Sequence, residues 1–366
     1  MKIGVDAGCL GVKDMRLKVG VYNFAANLLI ELSKIDTENE YFLYSFHPID
    51  PELLKKLGPN MQNIIVRPVQ GWLKIWLPIR MLRDRVQVFL ALGQAVPPRM
   101  MPTIKTIGVI YDLAFEKYKK YYPDSYTQLH SNTSLIIKRS AHIITISKSV
   151  KNDVISHYNI DSHHITAIPL GVRNFLHRGE KKKVRRNPYF LYVGALKRIK
   201  NVPTLLKAFK IFAEKTKNDV ELVVVGGDKW KDPQIDTVLS AMPDETIERI
   251  SFIGFSSDEE LVHLYRHALA FVSPSYYEGF GLTFLEAMAS GCPVIASNAG
   301  SLPEVVGKAG ILVDPTDVDA LAQAMIDVYK NSDLRAKLSK KGISEASGYS
   351  WEKCAREVHG LLEQFS

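Results

Sequence analysis

The chain has 366 residues, of which 46% are hydrophobic and 23% are charged, and its length predicts two domains of a soluble globular protein. No run of about 18 apolar residues is present, and the amino terminus, MKIGVDAGCL, enters a strand-like pattern without an apolar leader. We therefore expect no transmembrane helix, no export and a cytoplasmic location. Three scattered cysteines, Cys9, Cys292 and Cys354, fit neither a disulfide framework nor a CxxC metal pair.

The net charge of +8 lies entirely in the first half of the chain. Residues 1–173 contain 22 Lys and Arg residues against 14 Asp and Glu residues, whereas residues 174–366 contain 25 of each. A basic half indicates nucleic acid, an anionic membrane surface or an acidic ligand as a partner, or only solvated surface charge. Because no nucleic-acid-binding motif accompanies the charge, we expect no nucleic acid as a partner.

Short apolar runs recur along the chain and predict strands. They are KIGVDAG, YFLYSF, NIIVRPV, VQVFLAL, TIGVIYD, HIITIS and HITAIPLGV in the first half, and PYFLYVGAL, DVELVVVGG, RISFIGF, LAFVSPS, PVIASN and GILVDP in the second. Many are continuous rather than alternating, as expected of parallel strands buried on both faces. Segments with helical periodicity, such as VYNFAANLLIELSK, VPTLLKAFKIFAEKT and DVDALAQAMIDVYK, separate most of them. The pattern predicts two α/β domains, each with a doubly wound parallel sheet.

A basic segment, NFLHRGEKKKVRRNP at residues 174–188, divides the two sets of elements. It has too little apolar surface for a core element and is typical of an exposed linker; a nucleic-acid patch is disfavoured because no aromatic residues are interleaved with the charges. We place the N-terminal domain at residues 1–173 and the C-terminal domain at residues 174–349. The last segment, SWEKCAREVHGLLEQF, is amphipathic and predicts a terminal helix. Ligands of such domains bind in loops that follow strands.

A glycine-rich turn within SYYEGFGLTFLEAMASGCPVIASN, residues 275–298, joins a predicted strand to a predicted helix. Gly279 and Gly281 allow close backbone approach at the amino end of the helix, where free N–H groups and the helix dipole favour a phosphate. Glu286 lies further along among apolar neighbours, where an unpartnered carboxylate would cost several kcal/mol. A ribose diol would satisfy this carboxylate, as would a backbone N–H or an arginine.

A second strand-to-helix turn, VGALKRIKN, places Lys197, Arg198 and Lys200 after Gly194. Cations at such a turn suit a diphosphate, because they neutralise its negative charge. A solvated basic turn is the alternative interpretation of this pattern alone.

The stretch EGFGLTFLE resembles the E-x7-E signature of retaining glycosyltransferases of family 4, and EAMASGCPVIASNAGSLPEVV continues the resemblance. Other segments match in the same order, namely GVDAGCLGVK, VGVYNFAANLLIEL, VIYDLAF, IITISKSVKNDVISHYNIDSHHITAIPLGV, YVGALKRIKN, SFIGFSSDEELVHLYRHALAFVSPS and YSWEKCAREV. Residues 40–105 match only loosely. The resemblance implies the GT-B fold, in which two Rossmann-like domains face a cleft. The first domain would bind the acceptor and the second the donor, with residues 350–366 packing back on the first domain.

The resemblance also implies roles for the glycine-rich turn and the helix that follows it. The side chain of Glu278 would contact hydroxyls of the donor sugar, backbone groups after it would face sugar and phosphate, and Glu286 would bind the ribose. The implied donor-binding residues here are Glu278, Gly279, Phe280, Gly281, Leu282, Thr283 and Glu286.

Lys200 occupies the family's diphosphate-binding position. The family often has an arginine directly after the glycine of this turn or directly before the lysine, whereas this chain has Ala195 and Ile199 there. Either Arg198 or Lys197 would then supply the second charge, and we include Arg198 among the donor-binding residues.

Two segments of the first domain resemble the family with departures. Only Gly20 and Tyr22 remain of a glycine-rich GGxGRY loop, which makes Gly20 a candidate phosphate-facing residue and Lys18 an additional charge or a solvated one. In VIYDLAF, Tyr111 stands before Asp112 where the family commonly has histidine. Tyrosine does not titrate near neutral pH, so no protonated imidazole can act there.

Strand ends of the second domain supply further donor-binding candidates. Gly194 belongs to the diphosphate turn, and the resemblance implies that backbone groups at Ile253 and Gly254 hold the nucleobase, with Gly226 and Gly227 as secondary candidates. Glycine at a strand end is equally consistent with ordinary turn chemistry.

These observations predict a retaining, metal-independent hexosyltransferase that needs no cofactor, with Glu278, Lys200, Tyr111 and Asp112 as the catalytic residues. The substrate would be a GDP- or UDP-linked sugar, with a weak preference for GDP-mannose because the pattern resembles bacterial mannosyltransferases of surface-polysaccharide assembly. The basic first domain favours a glycan or lipid-linked acceptor and contact with the anionic inner face of a membrane. A non-catalytic or weakly active sugar-nucleotide-binding protein of the same fold is the alternative. A Rossmann oxidoreductase is disfavoured because GxGxxG follows the first strand of neither half.

Overall fold

The computed structural model describes residues 1–11, 20–98, 102–172, 187–227 and 232–365. The chain forms two compact units, one of residues 1–171 with residues 350–366, and one of residues 172–349. The predicted boundary between residues 173 and 174, most of the predicted linker and the predicted loop residue Lys18 lie outside the described residues.

The first unit alternates strands and helices along the chain. Its elements up to residue 171 are β1 (Lys2–Asp6), α1 (Val21–Ile35), β2 (Glu40–Ser45), α2 (Pro51–Leu54), β3 (Met61–Ile65), a π-helical turn (Trp72–Trp76), α3 (Leu77–Arg83), β4 (Val88–Ala91), β5 (Lys105–Ile110), α4 (Ala114–Lys117), α5 (Tyr126–Arg139), β6 (His142–Thr145), α6 (Lys148–Tyr158) and β7 (Ile165–Ala167).

The second unit continues the alternation, and the last helix returns to the first unit. The elements are β8 (Tyr189–Val193), a 3-10 turn (Arg198–Lys200), α7 (Val202–Thr216), β9 (Glu221–Val225), α8 (Gln234–Ser240), α9 (Asp244–Ile247), β10 (Ile250–Gly254), α10 (Asp258–His267), β11 (Ala270–Ser273), α11 (Leu282–Ala289), β12 (Val294–Ser297), α12 (Leu302–Val305), β13 (Ile311–Val313), α13 (Val318–Lys330), α14 (Ser332–Ala346) and α15 (Trp351–Glu363).

Both sheets are parallel and reverse their strand order once. The first has the order β3-β2-β1-β4-β5-β6-β7, and the second has the order β10-β9-β8-β11-β12-β13. The second sheet therefore grows outward from β8 through β9 to β10, then restarts at β11 on the other side of β8. These are doubly wound α/β sheets, so the predicted fold class is confirmed.

The apolar runs form strands because both of their faces are covered. In β4, β6, β11 and β12 every residue is buried, as expected for the interior of a parallel sheet. In the second unit, Phe190 of β8 packs edge-to-face on Phe212 of α7 at 5.1 Å, and Phe212 packs edge-to-face on Tyr329 of α13 at 5.6 Å. This aromatic chain joins the sheet to two helices of its core.

The terminal helix α15 packs on α1 within the first unit. The Ser350 side chain caps the helix by accepting a hydrogen bond from the Lys353 N–H. Trp351, which is 6% exposed, lies 6.2 Å from the ring of Phe24 in α1. A Cβ atom on Gly171 would lie 2.1 Å from the backbone nitrogen of Trp351, so the chain at residue 171 meets the start of α15 at backbone contact distance.

The turns that follow β8 and β9 also meet at backbone contact distance. The Gly194 N–H donates to the Val225 carbonyl at 2.9 Å, and the Gly226 N–H donates to the Gly254 carbonyl at 2.9 Å. A Cβ atom on Gly226 would lie 1.9 Å from the Gly194 carbonyl oxygen, whereas one on Gly227 would have no atom within 4 Å. Only the first of these two adjacent glycines is required by packing.

We expect Gly226→Ala to lower the free energy of unfolding by about 2 kcal/mol, because the added methyl group must displace a backbone carbonyl. Gly227→Ala is the matched control and should change it by less than about 0.5 kcal/mol. Urea denaturation of the two variants measures both quantities. Equal stability of the two would show that the turn after β8 moves freely.

Candidate functional site

The candidate site lies where the strand order of the second sheet reverses. The strands β8 and β11 are neighbours there, but the chain leaves them toward opposite sides of the sheet. Loops that diverge in this way leave a crevice at the carboxyl ends of the strands, the usual ligand position in open α/β sheets. The loop after β8 carries Lys200, and the loop after β11 carries Glu278.

Lys200 and Glu278 form an ion pair between these two loops. The Nζ atom of Lys200 donates to both Oε1 and Oε2 of Glu278 at 2.7 Å. The pair is largely shielded from water, since 26% of the Lys200 side chain and 12% of the Glu278 side chain are exposed. An ammonium group has three N–H donors, so this pairing leaves one donor of Lys200 for a further acceptor.

Glu278 is fixed through both its side chain and its backbone. The buried Ser275 Oγ donates to Glu278 Oε1 at 2.8 Å. The N–H and the Oγ of Ser301 each donate to the Glu278 carbonyl oxygen at 3.0 Å. Gly300 has a φ of +58°, and a Cβ atom on it would lie 2.5 Å from that same carbonyl oxygen. Residue 300 must therefore be glycine for this contact to form.

Asn201 ties the loops together. It has a left-handed φ of 54° and is 3% exposed, and its Nδ2 donates to the carbonyl oxygens of Pro274 at 3.0 Å and Pro315 at 2.6 Å. The Tyr276 N–H also donates to the Ile199 carbonyl at 2.9 Å. These bonds set the distance between the loops independently of the ion pair.

The amino end of α11 opens onto the same loop. Gly281 precedes the helix with a φ of +95°, and no side chain caps this end. The first N–H groups of any helix lack acceptors within the helix, so together with the dipole they offer donors to an anion. Leu282 and Thr283 are half-buried at this end, and Phe280 is buried with its ring edge-on to Tyr349 at 5.7 Å.

Glu286 is 3% exposed within α11, between the buried residues Leu285 and Ala287. The burial agrees with the apolar sequence around it. Ribose binding by Glu286 stays a prediction.

Arg198 is held beside the same turn by Asp232. Its Nε donates to Asp232 Oδ1 at 3.3 Å, and the arginine side chain is 45% exposed whereas that of Asp232 is 3% exposed. The Asp232 N–H in turn donates to the Leu196 carbonyl at 2.7 Å. A guanidinium has five N–H donors in all, and nearly half of the Arg198 side chain is exposed, so Arg198 is a candidate to bind an anion as well.

Tyr192 supports the turn after β8 from within the sheet. Its hydroxyl donates to the Ala195 carbonyl at 3.0 Å. Burial, with the nearby negative charge of Glu278, raises the pKa of Tyr192 well above its ordinary value, so the phenol stays a neutral donor. A Cβ atom on Gly194 would lie 2.9 Å from this hydroxyl. The predicted Gly194 therefore has a packing requirement of its own.

The predicted nucleobase residues lie at the carboxyl end of β10. Ile253 is 37% exposed, and Gly254 has a φ of +69° with a carbonyl oxygen that accepts the Gly226 N–H. Phe252 and Phe255 beside them are 41% and 53% exposed. The strand end thus presents apolar side chains to solvent, and base binding there stays a prediction.

The predicted residues of the first unit have local structural partners. Gly20 begins α1 with a φ of +41°. Tyr111 is 8% exposed, and its hydroxyl donates to the Leu92 carbonyl at 2.7 Å, so its single proton is already engaged. Asp112 Oδ1 accepts the Ala114 N–H at 2.9 Å at the start of α4. Their catalytic roles stay predictions, and the partner of Tyr111 argues against its role.

Asp6 lies at the reversal point of the first sheet, at the end of β1, and the sequence interpretation missed it. It is 5% exposed, and its Oδ1 accepts the Gly8 N–H at 3.0 Å. A Cβ atom on Gly93, in the loop after β4, would lie 2.3 Å from Asp6 Oδ2. Burial raises the pKa of Asp6 to about 6, against the lowering effect of hydrogen bonds from the Gly8 and Gly93 N–H groups.

The sequence interpretation also missed the residues that hold the site together. These are Ser275, Asn201, Asp232, Ser301 and Gly300. Asn201 had a signal, because asparagine tolerates left-handed backbone directly before a helix. Ser275 lies only three residues from Glu278, but nothing in the sequence marks it as the hydrogen-bond donor. Asp232, Ser301 and Gly300 act on residues that only the fold brings near.

The described residues contain neither a membrane-spanning helix nor a metal-binding cluster. Among them, no helix is long and apolar enough to cross a membrane. In the same part of the chain, no group of three His, Cys, Asp or Glu side chains is arranged to hold a metal ion. Metal independence stays a prediction.

Known proteins are similar to this chain in sequence and in fold. Residues 174–345 match the family model of the glycosyl transferases group 1. The chain is 30% identical over 265 residues to O-antigen chain mannosyltransferase B of Escherichia coli, covering 69% of each chain. It is 32% identical over 224 residues to O-antigen chain mannosyltransferase RfbU of Salmonella typhimurium, covering 60% of each. The structure of sucrose-phosphate synthase from Thermosynechococcus elongatus has a TM-score of 0.77 at 21% identity, covering 99% of this chain and 98% of that one.

The chain has two parallel Rossmann-like sheets and matches that structure over nearly the whole length of both chains. These features define the GT-B class of fold. Within that class the chain belongs to the group 1 glycosyl transferases. The predicted resemblance to family 4 glycosyltransferases and to bacterial mannosyltransferases of surface-polysaccharide assembly is confirmed, whereas the E-x7-E signature stays a prediction.

We expect the stability of the protein to depend on Asp6 between about pH 4 and pH 6. The carboxyl has a pKa of about 6 when folded against an ordinary 3.8, so the native state binds its proton more tightly. The free energy of unfolding therefore falls by about 3 kcal/mol as the pH rises across this window. Above the window, the contribution of Asp6 no longer changes with pH.

Asp6→Asn removes this titration, so its free energy of unfolding should decline less between pH 4 and pH 7 than that of the wild type. Urea denaturation at a series of pH values measures the difference. Asp124→Asn, at an exposed position of the same unit, is the control and should follow the wild-type profile. A profile for Asp6→Asn that parallels the wild type would contradict the assignment.

Proposed function

We propose that the chain is a retaining hexosyltransferase that moves a hexose from a nucleotide-diphosphate sugar to a hydroxyl of a glycan or lipid-linked acceptor, without a cofactor or a bound metal. The observation that carries the proposal is the Lys200–Glu278 pair beside the uncapped amino end of α11. Similarity to two mannosyltransferases supports mannose as the sugar and GDP-mannose as the donor.

The leaving diphosphate requires positive charge that is already in place. Lys200 has one donor beyond its two bonds to Glu278, the partly exposed guanidinium of Arg198 belongs to the same turn, and α11 offers backbone N–H groups. Negative charge grows on the diphosphate as the glycosidic bond breaks, so each of these contacts becomes stronger in the transition state than in the ground state. In this proposal, these contacts do the work that a bound metal ion does in other enzymes that act on phosphates, namely neutralising the charge of the leaving group.

Glu278 is suited to orient the sugar. A carboxylate has about four lone-pair sites, of which Lys200 takes two and Ser275 one. The remaining site can accept a sugar hydroxyl, and the contacts to Ser301 keep the residue from turning away. A rigid acceptor of this kind favours one sugar orientation, which lowers the entropic part of the barrier.

A front-face reaction fits this carboxylate better than double displacement does. The bond from the anomeric carbon to the diphosphate oxygen breaks first, the acceptor oxygen bonds to the same face of that carbon, and the acceptor proton passes to the departing oxygen. In the rival route Glu278 would attack the carbon, but a carboxylate bonded to an ammonium group and a hydroxyl is a weaker nucleophile. Trapping of a glycosyl adduct on Glu278 would overturn the front-face route.

The acceptor is proposed from charge. The excess of eight positive charges in residues 1–173 favours an anionic acceptor, and a lipid diphosphate at the inner face of a membrane has that property. The protein would then act in the cytoplasm, in contact with that surface.

A sugar-nucleotide-binding protein without turnover is the second candidate. Tyr111 favours it, since the phenol is engaged with the Leu92 carbonyl where related enzymes commonly place an imidazole. Such a protein would bind GDP or UDP and release no sugar from any donor.

We expect Glu278→Gln and Lys200→Met each to lower kcat/KM by about 100-fold or more, because each removes a contact that acts on the reacting group. Release of GDP from GDP-mannose, with an alkyl mannoside as acceptor and without it, measures turnover, and NMR of the product gives its anomeric configuration. Lys207→Met, at an exposed position of α7, is the control and should retain full activity. Nucleotide binding without turnover of any sugar nucleotide would support the second candidate.

We expect GDP-mannose to raise the Tm more than UDP-glucose or UDP-N-acetylglucosamine does at equal concentration. A ligand at 100 times its Kd stabilises the native state by about 2.7 kcal/mol, a shift that thermal denaturation detects. Glu286→Gln should reduce the shift if its carboxylate binds the ribose. Glu345→Gln, at an exposed position of α14, should leave the shift unchanged. A larger shift with a UDP sugar would overturn the assignment of GDP-mannose.

A further inference from the structure

One segment of the first unit has apolar side chains on opposite faces. It begins as the π-helical turn Trp72–Trp76 and continues without a break as α3. Toward the protein, Trp72, Leu77 and Met81 are buried in the core of the unit. Toward solvent, the exposed fractions are 51% for Ile75, 38% for Trp76, 55% for Ile79 and 42% for Leu82.

The exposed residues form a stripe rather than a scatter. Ile75, Ile79 and Leu82 follow the i, i+4, i+7 spacing of one helical face. The preceding chain also exposes apolar side chains, since Ile65 is 42% exposed and Val69 is 51% exposed. Six of the ten exposed large hydrophobic side chains among the described residues fall within residues 65–82. We refer to these six residues as the 65–82 surface.

The loop before the helix shapes the position of Trp76. Its indole Nε1 donates to the Gln70 carbonyl at 3.2 Å. A Cβ atom on Gly71 would lie 3.5 Å from Ile75 Cδ1 and 3.8 Å from Trp76 Nε1, so the loop rests against the helix. With its N–H satisfied by the protein, the ring can enter an apolar phase without leaving a polar atom unpaired.

The segment that carries this apolar stripe is rich in basic residues. Residues 65–85 contain Arg67, Lys74, Arg80, Arg83 and Arg85 against one acid, Asp84. That acid is bonded to Arg80 at 2.7 Å and also accepts the Tyr44 hydroxyl at 2.8 Å. The segment therefore has a net charge of +4, half of the excess of the whole chain.

We propose that the 65–82 surface docks the protein on the anionic face of a phospholipid bilayer. Ile75, Trp76, Ile79 and Leu82 enter the boundary between head groups and acyl chains, and Arg67, Lys74 and Arg83 bind lipid phosphates. Exposed aliphatic and tryptophan side chains on a helix flanked by basic residues suit this boundary. A second copy of the chain suits it less, since a symmetric contact would bring two segments of +4 together.

The docking surface deepens the proposed function, because a lipid-linked acceptor lies at such a bilayer. It depends on neither donor binding nor transfer, however, so binding is measured without a sugar nucleotide. The probe is a phosphatidylcholine vesicle with about one third phosphatidylglycerol at low salt, and co-sedimentation gives the partition coefficient. We expect binding to weaken at least tenfold on pure phosphatidylcholine or at about 0.5 M NaCl.

Variants separate the apolar and basic contributions. Trp76→Ser combined with Ile79→Ser should lower the partition coefficient at least tenfold, and Lys74→Gln combined with Arg83→Gln should lower it about tenfold at low salt. Ile343→Ser, at a position of α14 that is 50% exposed, is the matched control and should bind as the wild type does. Unchanged Tm values show that the variants fold, as expected at exposed positions.

The conservative variant Trp76→Phe gives a readout that folding alone would not change. It should retain vesicle binding but lose the blue shift in tryptophan fluorescence that binding produces in the wild type. Wild-type binding by the Trp76→Ser, Ile79→Ser variant, or equal weakening by Ile343→Ser, would overturn the proposal. A wild-type dimer that this double variant abolishes, with vesicle binding unchanged, would instead identify a self-association face.

The outcomes also separate this proposal from the proposed function. Donor turnover without vesicle binding would contradict the proposed docking surface and leave the proposed transferase activity standing. Vesicle binding that requires the 65–82 surface, with no turnover of any donor, would support the docking surface and contradict the proposed transferase activity.

Discussion

The ion pair between Lys200 and Glu278 is the interaction around which the candidate site of the second unit is arranged. Both side chains are mostly withdrawn from water, so each would be costly to bury alone, and pairing offsets that cost only if the geometry is fixed. The fold fixes it by making β8 and β11 neighbours, although Lys200 and Glu278 are 78 residues apart in sequence. The serine contacts to Glu278 and the asparagine between the loops maintain this geometry without the ion pair's help.

Close backbone contacts impose the second constraint. Gly226 brings the turn after β9 against the Gly194 carbonyl, and Gly300 brings the loop after β12 against the Glu278 carbonyl. Both contacts lie at carboxyl ends of strands, where the site is built. Each removes the freedom of a loop that would otherwise have to be ordered when a ligand binds, so part of the entropic cost of binding is met during folding.

The sequence was most informative where a pattern repeats or a motif is local. Continuous apolar runs predicted the strands, because a strand buried on both faces has no polar register, and glycines next to charged residues marked the loops with Lys200 and Glu278. Partners distant in sequence could not be predicted. Asp232 lies 34 residues from Arg198, and nothing near either residue indicates the other. The 65–82 surface escaped notice for a different reason. A helix that is apolar on both faces has the same composition whether one face or both are buried, and only the packing distinguishes them.

The distribution of charge between residues 1–173 and residues 174–366 is consistent with the two proposed interactions, which act over different distances. Under the proposed function, a diphosphate in the crevice needs a few cations at contact distance. Lys200 and Arg198 would supply them, within a half of the chain that has equal numbers of acids and bases. An excess of charge there would add little, because contacts in a shielded site are set by local geometry. A membrane surface, in contrast, attracts through a field that decays over about 8 Å at physiological salt, so net charge rather than one placed cation determines attraction. The positive excess of residues 1–173, half of it around the 65–82 surface, matches that second requirement.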